Sequence, residues 1–172
     1  MTPILRTGRL VLRPLETRDA EAITRAFADW EVIRWLAAPP HPYALSDALA
    51  FIALDAPDRW AITLADDRLI GCISLGSELG YWLDPAHQGQ GLMTEAARAV
   101  VADHFASSDE ALVSGHFEGN SRSRGVLLKL GFENTHVART HAHSHGSEVA
   151  NQRMALTAAR WREVCEGQPA HP

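Results

Sequence analysis

Hydrophobic residues along this chain switch between short runs and helical stripes, and the switches mark its elements. Leu10-Val11-Leu12 is a short apolar run that predicts a first strand. Ile23, Ala26, Phe27 and Trp30 recur at helical spacing behind Thr17, a good N-cap, and predict a first helix, with residues 31–36 continuing as a second short one. Residues 37–45 carry three prolines, which exclude a regular helix or a central strand. Ser46 is placed to cap a short helix to about Leu54, with Leu49 and Ile52 on one side. Residues 60–64 and 69–75, joined by Ala65-Asp66-Asp67-Arg68, predict a hairpin, and residues 78–83 follow after Gly76-Ser77. Three strands with such short connections imply an antiparallel meander. Met93, Ala97, Val100, Val101 and His104 form one stripe of a helix from Thr94 to about Phe105, with His104 near its C-terminal end as a dipole partner. Residues 111–117 are the next strand, and a strand-helix-strand unit of this length predicts a right-handed parallel crossover. Asn120 or Ser121 caps a further helix that Gly131 ends. Residues 148–156 read as a final strand and 158–166 as a terminal helix, and the tail 167–172 is expected to fray.

The stretch from Gly80 to Ala97 organises the rest. Tyr81-Trp82-Leu83 are strand formers, and Asp84-Pro85 stops the strand because proline has no N–H for a ladder. Gly89 and Gly91 allow a sharp turn with bare backbone, and Thr94-Glu95-Ala96-Ala97 opens a helix. Free N–H groups running into a helix N-terminus make an anion site, suited to a phosphate or pyrophosphate. A P-loop needs a lysine, which the stretch lacks, and the dinucleotide fingerprint needs a third glycine where Thr94 stands.

Charge and cysteine usage narrow the partners. The 172 residues are 46% hydrophobic and 22% charged, an ordinary globular balance for one domain spanning 1–172. A formal net charge of −5 does not favour nucleic acid and weakly suits a cationic substrate such as an amine or basic peptide. Cys72 and Cys165 fit no metal or redox spacing, as in a reducing compartment. The opening MTPILRTGRL has no apolar signal core, and no apolar run approaches a membrane span, so a soluble cytoplasmic protein without a membrane partner is expected. Assembly is open between a monomer and a homodimer. His141, His143 and His145 would share one side of a strand, but no cysteine or suitable carboxylate completes a metal set, so no metal is expected.

Residues 81–93 resemble the acetyl-CoA motif of the Gcn5-related N-acetyltransferase (GNAT) superfamily. That motif is a hydrophobic-x-hydrophobic strand, x-Pro-x-x, then Gln/Arg-x-x-Gly-x-Gly/Ala. Here it reads Tyr81-Trp82-Leu83, Asp84-Pro85-Ala86-His87 and Gln88-Gly89-Gln90-Gly91-Leu92-Met93, with Met93 where a small residue is usual. Asn120-Ser121-Arg122-Ser123 followed by a helix and Gly131-Phe132 resembles the family's second motif, and Thr7–Leu15 resembles the opening of the Rim-type ribosomal-protein N-acetyltransferase branch. The resemblance implies an α/β fold, a central and mostly antiparallel mixed sheet flanked by helices, with a V-shaped acetyl-CoA cleft. It implies acetyl-CoA as co-substrate, held by Tyr81, Trp82, Leu83, Gln88, Gly89, Gln90, Gly91, Leu92, Met93, Thr94, Asn120 and Ser123. Asn120 would hydrogen-bond the CoA arm and Ser123 would lie beside the thioester.

Many relatives place a tyrosine acid seven residues after that asparagine. This chain has Leu127 there, so Ser123 is the candidate proton donor, or it only packs on the cofactor. Glu78 is the only carboxylate on the organising strand and the candidate base, with Asp84 the weaker candidate and a solvent-facing glutamate the alternative. The Pro-Tyr loop makes His41 and Tyr43 candidates for substrate contact, and Trp35 for the groove wall; the bland alternatives are a pinned surface loop and a core tryptophan. The phrase 148–156 matches a family phrase that often carries His or Asn near Asn151. The implied activity is acetyl transfer to a primary amine: the α-amine of a protein N-terminus such as a ribosomal protein, or a small amine (polyamine, amino acid, antibiotic). A non-catalytic acyl-CoA sensor is the alternative of another class.

Overall fold

The structure is a computed structural model that describes residues 2–54, 56 and 58–167. Two antiparallel sheets carry the fold. The first has the order β1-β2-β3-β4-β5, from Leu5–Arg6, Val11–Arg13, Arg59–Thr63, Leu69–Leu75 and Leu79–Leu83. The second has the order β6-β8-β7, from Leu112–Phe117 (β6), Glu133–Ala142 (β7) and Ser147–Leu156 (β8). The helices are α1 (Ala20–Ala28), α2 (Trp30–Ile33), α3 (Leu45–Ala53), α4 (Leu92–Ser107), α5 (Ser121–Leu130) and α6 (Ala158–Glu166). The meander β3-β4-β5 and the terminal helix lie where their patterns put them. The expectation for the tail beyond 167 falls outside the described residues.

The helix α4 does carry the chain from β5 to β6, but no ladder joins those strands among the described residues. They touch near their starts, where Ser114 Oγ donates to the Leu79 carbonyl at 2.8 Å. Beyond that joint the sheets part. The crossover therefore leaves a cleft instead of completing one continuous sheet.

The two faces of the first sheet bury different cores. Leu10, Leu12, Ile62, Ile73, Leu79 and Leu83 pack with Met93, Val100, Leu127, Leu130 and Trp161 of α4, α5 and α6. On the other face Cys72 and Trp82 pack with Ile23, Phe27, Ile33 and Ala48 of the first three helices. At the end of β2, the buried Arg13 forms a two-pronged ion pair with the buried Asp19 at 2.8 and 2.9 Å and reaches Asp67 at 2.7 Å.

Three expectations are corrected. The helix α3 begins one residue before Ser46, and Asp47 Oδ2 accepts from the Ala44 N–H at 2.8 Å. Leu49 is 40% exposed on this helix, because the fully buried Ala48 sets the inward face. The histidine-rich segment is strand only up to Ala142, then turns at 143–146. Its three histidines consequently do not share a strand face. His141 and His143 lie edge to face at 5.1 Å, whereas His145 donates from Nε2 to the Arg34 carbonyl (2.8 Å) and packs on Trp30. The His143 N–H also donates to the Ala37 carbonyl at 3.0 Å. This turn thus latches the second sheet onto the segment after α2.

Candidate active site

A cavity of ≈460 Å³ runs between the diverging β5 and β6. Strand alternation divides its wall into two faces. Leu79, Tyr81 and Leu83 point to the core with α4 and α5, while Gly80 and Trp82 point to the side of α1–α3. Glu78, just before β5, falls in register with the second set.

On the first face, the loop after β5 is built for an anion. Asp84 Oδ1 accepts from the Ala86 N–H at 2.8 Å and starts a single 3₁₀ turn, Pro85–His87. Gln88 Nε2 donates to the Leu83 carbonyl at 2.9 Å, tying the loop back to its strand. Gly89 and Gly91 have φ of 75° and 76°, a conformation that costs glycine little. Gly91 thereby caps α4, which starts at Leu92, two residues earlier than Thr94, and 16 residues of helix aim their N-terminus at the cavity. Met93 is buried against the core, so its bulk does not stand across the loop. Gln90 turns away, its side-chain amide donating to the Ala86 carbonyl at 3.2 Å.

Cations gather at this mouth of a net acidic protein. Arg122 and Lys129 line the cavity, and Arg122 Nη1 donates to Gln88 Oε1 at 2.8 Å. Arg9 donates to the Gln90 carbonyl at 3.0 Å. Glu95 is directed sideways, accepting from Thr7 Oγ1 (2.6 Å), the Arg9 N–H (2.9 Å) and Arg9 Nε (2.7 Å). Burial pushes its carboxyl up, but the Thr7 and Arg9 hydrogen bonds and the Arg9 charge outweigh this and hold it below the usual range. A lowered carboxylate pKa contributes stability above the ordinary value and loses it as pH falls through the lowered one. The loop is accordingly best anchored at neutral pH.

The helix α5 supplies the facing wall. Asn120 is its N-cap, Oδ1 accepting from the Ser123 N–H at 3.1 Å. Ser123 Oγ lies 3.0 Å from the Tyr81 hydroxyl. Burial pushes the Tyr81 phenol far above its ordinary range, with the Ser123 hydrogen bond a smaller opposing effect. His116 comes from β6. Its Nδ1 contacts the Phe117 carbonyl at 3.1 Å and its buried Nε2 has no partner among the described residues.

On the second face Glu78 is ion-paired with Arg153. Asn151 is buried, donates from Nδ2 to Thr140 Oγ1 at 3.1 Å, and leaves Oδ1 without a partner among the described residues. Trp35, Glu31, Leu36 and Ala37 close this side. The cradle depends on Gly115 of β6, where a Cβ would stand 2.5 Å from Asn151 Oδ1 and 3.0 Å from Arg153 Nη1. Gly115→Ala is expected to lower kcat/KM for the acceptor by about 10–100-fold through this displacement, with acetyl-CoA affinity retained. Steady-state kinetics with calorimetry checks the split.

Of the catalytic, cofactor and substrate candidates put forward from the sequence, all line this cavity except Asp84, Gln90, His41 and Tyr43. The Pro-Tyr loop does not form the wall. Tyr43 packs edge to face on Phe27 at 4.8 Å, burial pushing its phenol up to about 12, and His41 lies 5.8 Å from Trp30. Sequence reasoning missed His116, Arg122, Gly115 and Arg153, and used Asn151 only as part of a phrase. A period-two reading of 112–117 and 148–156 would have placed the polar members of both strands in facing sets. Among the described residues, no group of three His, Cys, Asp or Glu is arranged to hold a metal.

Residues 9–133 match the family model described as an acetyltransferase (GNAT) domain, and the chain belongs to this family. It is 32% identical over 163 residues to the uncharacterized N-acetyltransferase YoaA of Bacillus subtilis (strain 168), covering 86% of this chain and 92% of that protein. Over 77 residues it is 39% identical to the ribosomal-protein-serine acetyltransferase of Escherichia coli (strain K12), 39% of this chain and 42% of that protein. The microcin C7 self immunity acetyltransferase MccE, solved with acetyl-CoA and AMP, shares the fold with a TM-score of 0.73 at 18% identity, over 88% of this chain and 93% of that one. The protein is an acetyl-CoA-dependent N-acetyltransferase.

Proposed function

We propose that the acceptor is the α-amine of a protein N-terminus, such as that of a ribosomal protein, and that Glu78 is its base. The observation that carries this reading is the two-faced cavity. An anion loop and cations occupy one face, and Glu78 stands on the other, where an amine meets the thioester from the side opposite the cofactor. The name of the Escherichia coli relative supports a protein N-terminus as acceptor.

The acid–base demand fits this acceptor. An α-ammonium has a pKa of about 7.7–8.0, so roughly a tenth is neutral at pH 7, whereas a lysine at about 10.4 would need roughly 4–5 kcal/mol to be neutralised. One carboxylate, acting directly or through a water, meets the smaller demand.

The amine then attacks the thioester carbonyl, whose oxygen becomes anionic. The Asp84 N–H donates to the Ile70 carbonyl at 2.8 Å, so strand alternation turns the Tyr81 and Leu83 N–H groups to the edge that faces the cleft. These two are the donors for the developing oxyanion. The cytoplasm is the compartment this substrate implies; no helix among the described residues is long and apolar enough to cross a membrane.

Acetyl-CoA-dependent thiol release against a panel tests the assignment. Peptides with free N-termini are expected to turn over, and the same peptides with blocked N-termini, or polyamines, to fail. Turnover on polyamines alone would replace this acceptor with a small amine.

A further inference from the structure

The position where relatives carry a tyrosine acid holds Leu127, which is fully buried in the core and has no proton to give. A tyrosine hydroxyl still reaches the cleft, from the opposite wall. Tyr81 of β5 places its Oη 3.0 Å from Ser123 Oγ and 3.3 Å from the Ser123 carbonyl. Both residues line the cavity. The Ser123 N–H is already taken by Asn120 Oδ1, so both polar ends of Ser123 are held by neighbours.

We propose that Tyr81 is a positioning residue that directs the Ser123 hydroxyl proton at the leaving sulfur. This inference rests on the reading of the cavity as the acetyl-transfer site. The phenol has one proton and two acceptors, Ser123 Oγ at 3.0 Å and the Ser123 carbonyl at 3.3 Å; in the proposed arrangement it goes to the nearer Oγ, which frees the serine O–H to point into the cavity. Donation into Oγ also polarises that O–H, as linked hydrogen bonds strengthen one another. Without Tyr81 the serine hydroxyl is free to turn back onto a local backbone acceptor, the usual habit of a serine near a helix start.

Tyr81 does not itself give up a proton. Burial opposes a phenolate, and a thiolate whose acid has a pKa of about 8.5 is too weak a base to create one there. In the step, the C–N bond forms and the C–S bond breaks, with the bonding pair going to sulfur. The surplus proton of the amine leaves through Glu78 or water. The sulfur accepts a hydrogen bond from Ser123 O–H, and the thiolate takes its proton from solvent on release. The two hydroxyls end as they began.

The test is a double-mutant cycle on kcat with the full chain, using Tyr81→Phe, Ser123→Ala and the pair. Tyr81→Phe removes one oxygen and keeps the ring in the core. It is expected to lower kcat about tenfold, the rate equivalent of one hydrogen bond, with KM for acetyl-CoA unchanged. The double variant is expected to match Ser123→Ala alone, because Tyr81 acts through Ser123. A packing role for Tyr81 would give losses that multiply, and that result, or an unchanged kcat in Tyr81→Phe, overturns the proposal while leaving the acetyl-transfer site intact. Failure of the unaltered protein to bind acetyl-CoA by calorimetry would instead remove the site reading and this inference with it.

Discussion

Glu78→Gln is expected to lower kcat by about 10²–10⁴-fold, the range for loss of a positioned general base. The variant keeps the size of the side chain and its hydrogen bonding to Arg153, so the second face of the cavity keeps its shape. Acetyl-CoA affinity should hold, because the loop suited to the cofactor's phosphates lies on the other face. The loss should shrink as pH rises through the α-amine range, where more of the acceptor is neutral without help. Pre-steady-state acetyl transfer across pH 7 to 9.5, with calorimetric binding of acetyl-CoA, measures both quantities. A variant with unchanged kcat would leave Glu78 as a structural partner of Arg153, and the base would have to be water.

The second large effect is on stability. Arg13→Ala is expected to cost about 3–5 kcal/mol, because it strands the buried Asp19 carboxylate without its partner. Arg13 and Asp19 have side-chain exposures of only 8% and 4%. Total stabilities of about 5–15 kcal/mol make this a large share of the whole. Replacing both residues, as in Arg13→Met with Asp19→Leu, should recover most of the loss, since a buried ion pair exchanged for apolar groups is often neutral. Urea unfolding of the three variants checks the order. The neighbouring Asp67 adds a pH signature: the hydrogen bond from Arg13, above all, lowers its carboxyl pKa. Its contribution is therefore present above the ordinary aspartate value and lost as pH falls through the lowered one. In Arg13→Ala this acid-side dependence should weaken.

The turn between β5 and α4 was legible because its causes are local. A strand stop at Asp84-Pro85, two glycines and a helix start lie within a dozen residues, and each has a short-range cause. Asn120 at an N-cap and Gly131 at a left-handed C-terminal position are equally local, and the structure has both. The second face of the cavity was harder to see. Glu78, Gly115, Thr140, Asn151 and Arg153 come from four separate stretches and meet only through sheet register. The histidine segment misled for a related reason. Its spacing of two fits a strand, yet the strand ends at Ala142 and the turn carries His145 onto Arg34 and Trp30, while the His143 N–H bonds the Ala37 carbonyl. The inward face of α3 was misjudged because a small residue, Ala48, was overlooked in favour of larger leucines that remain exposed.

The Pro-Tyr loop shows the limit of carrying a role across by sequence position. Tyr43 is drawn into the core by Phe27, which takes it out of the cavity wall. Trp35 lines the wall instead, from the end of α2, and the turn after β7 presses on the same segment. The second face of the cavity is thus shaped by a latch between two parts of the chain that are more than a hundred residues apart.

The central claim is that this cleft passes an acetyl group from acetyl-CoA to an α-amine. Its most direct test is a peptide carrying both a free N-terminus and an internal lysine, incubated with protein and acetyl-CoA and mapped by fragmentation mass spectrometry. One acetyl group is expected, on the N-terminal nitrogen. Acetylation of the lysine side chain with the N-terminus left free would contradict it.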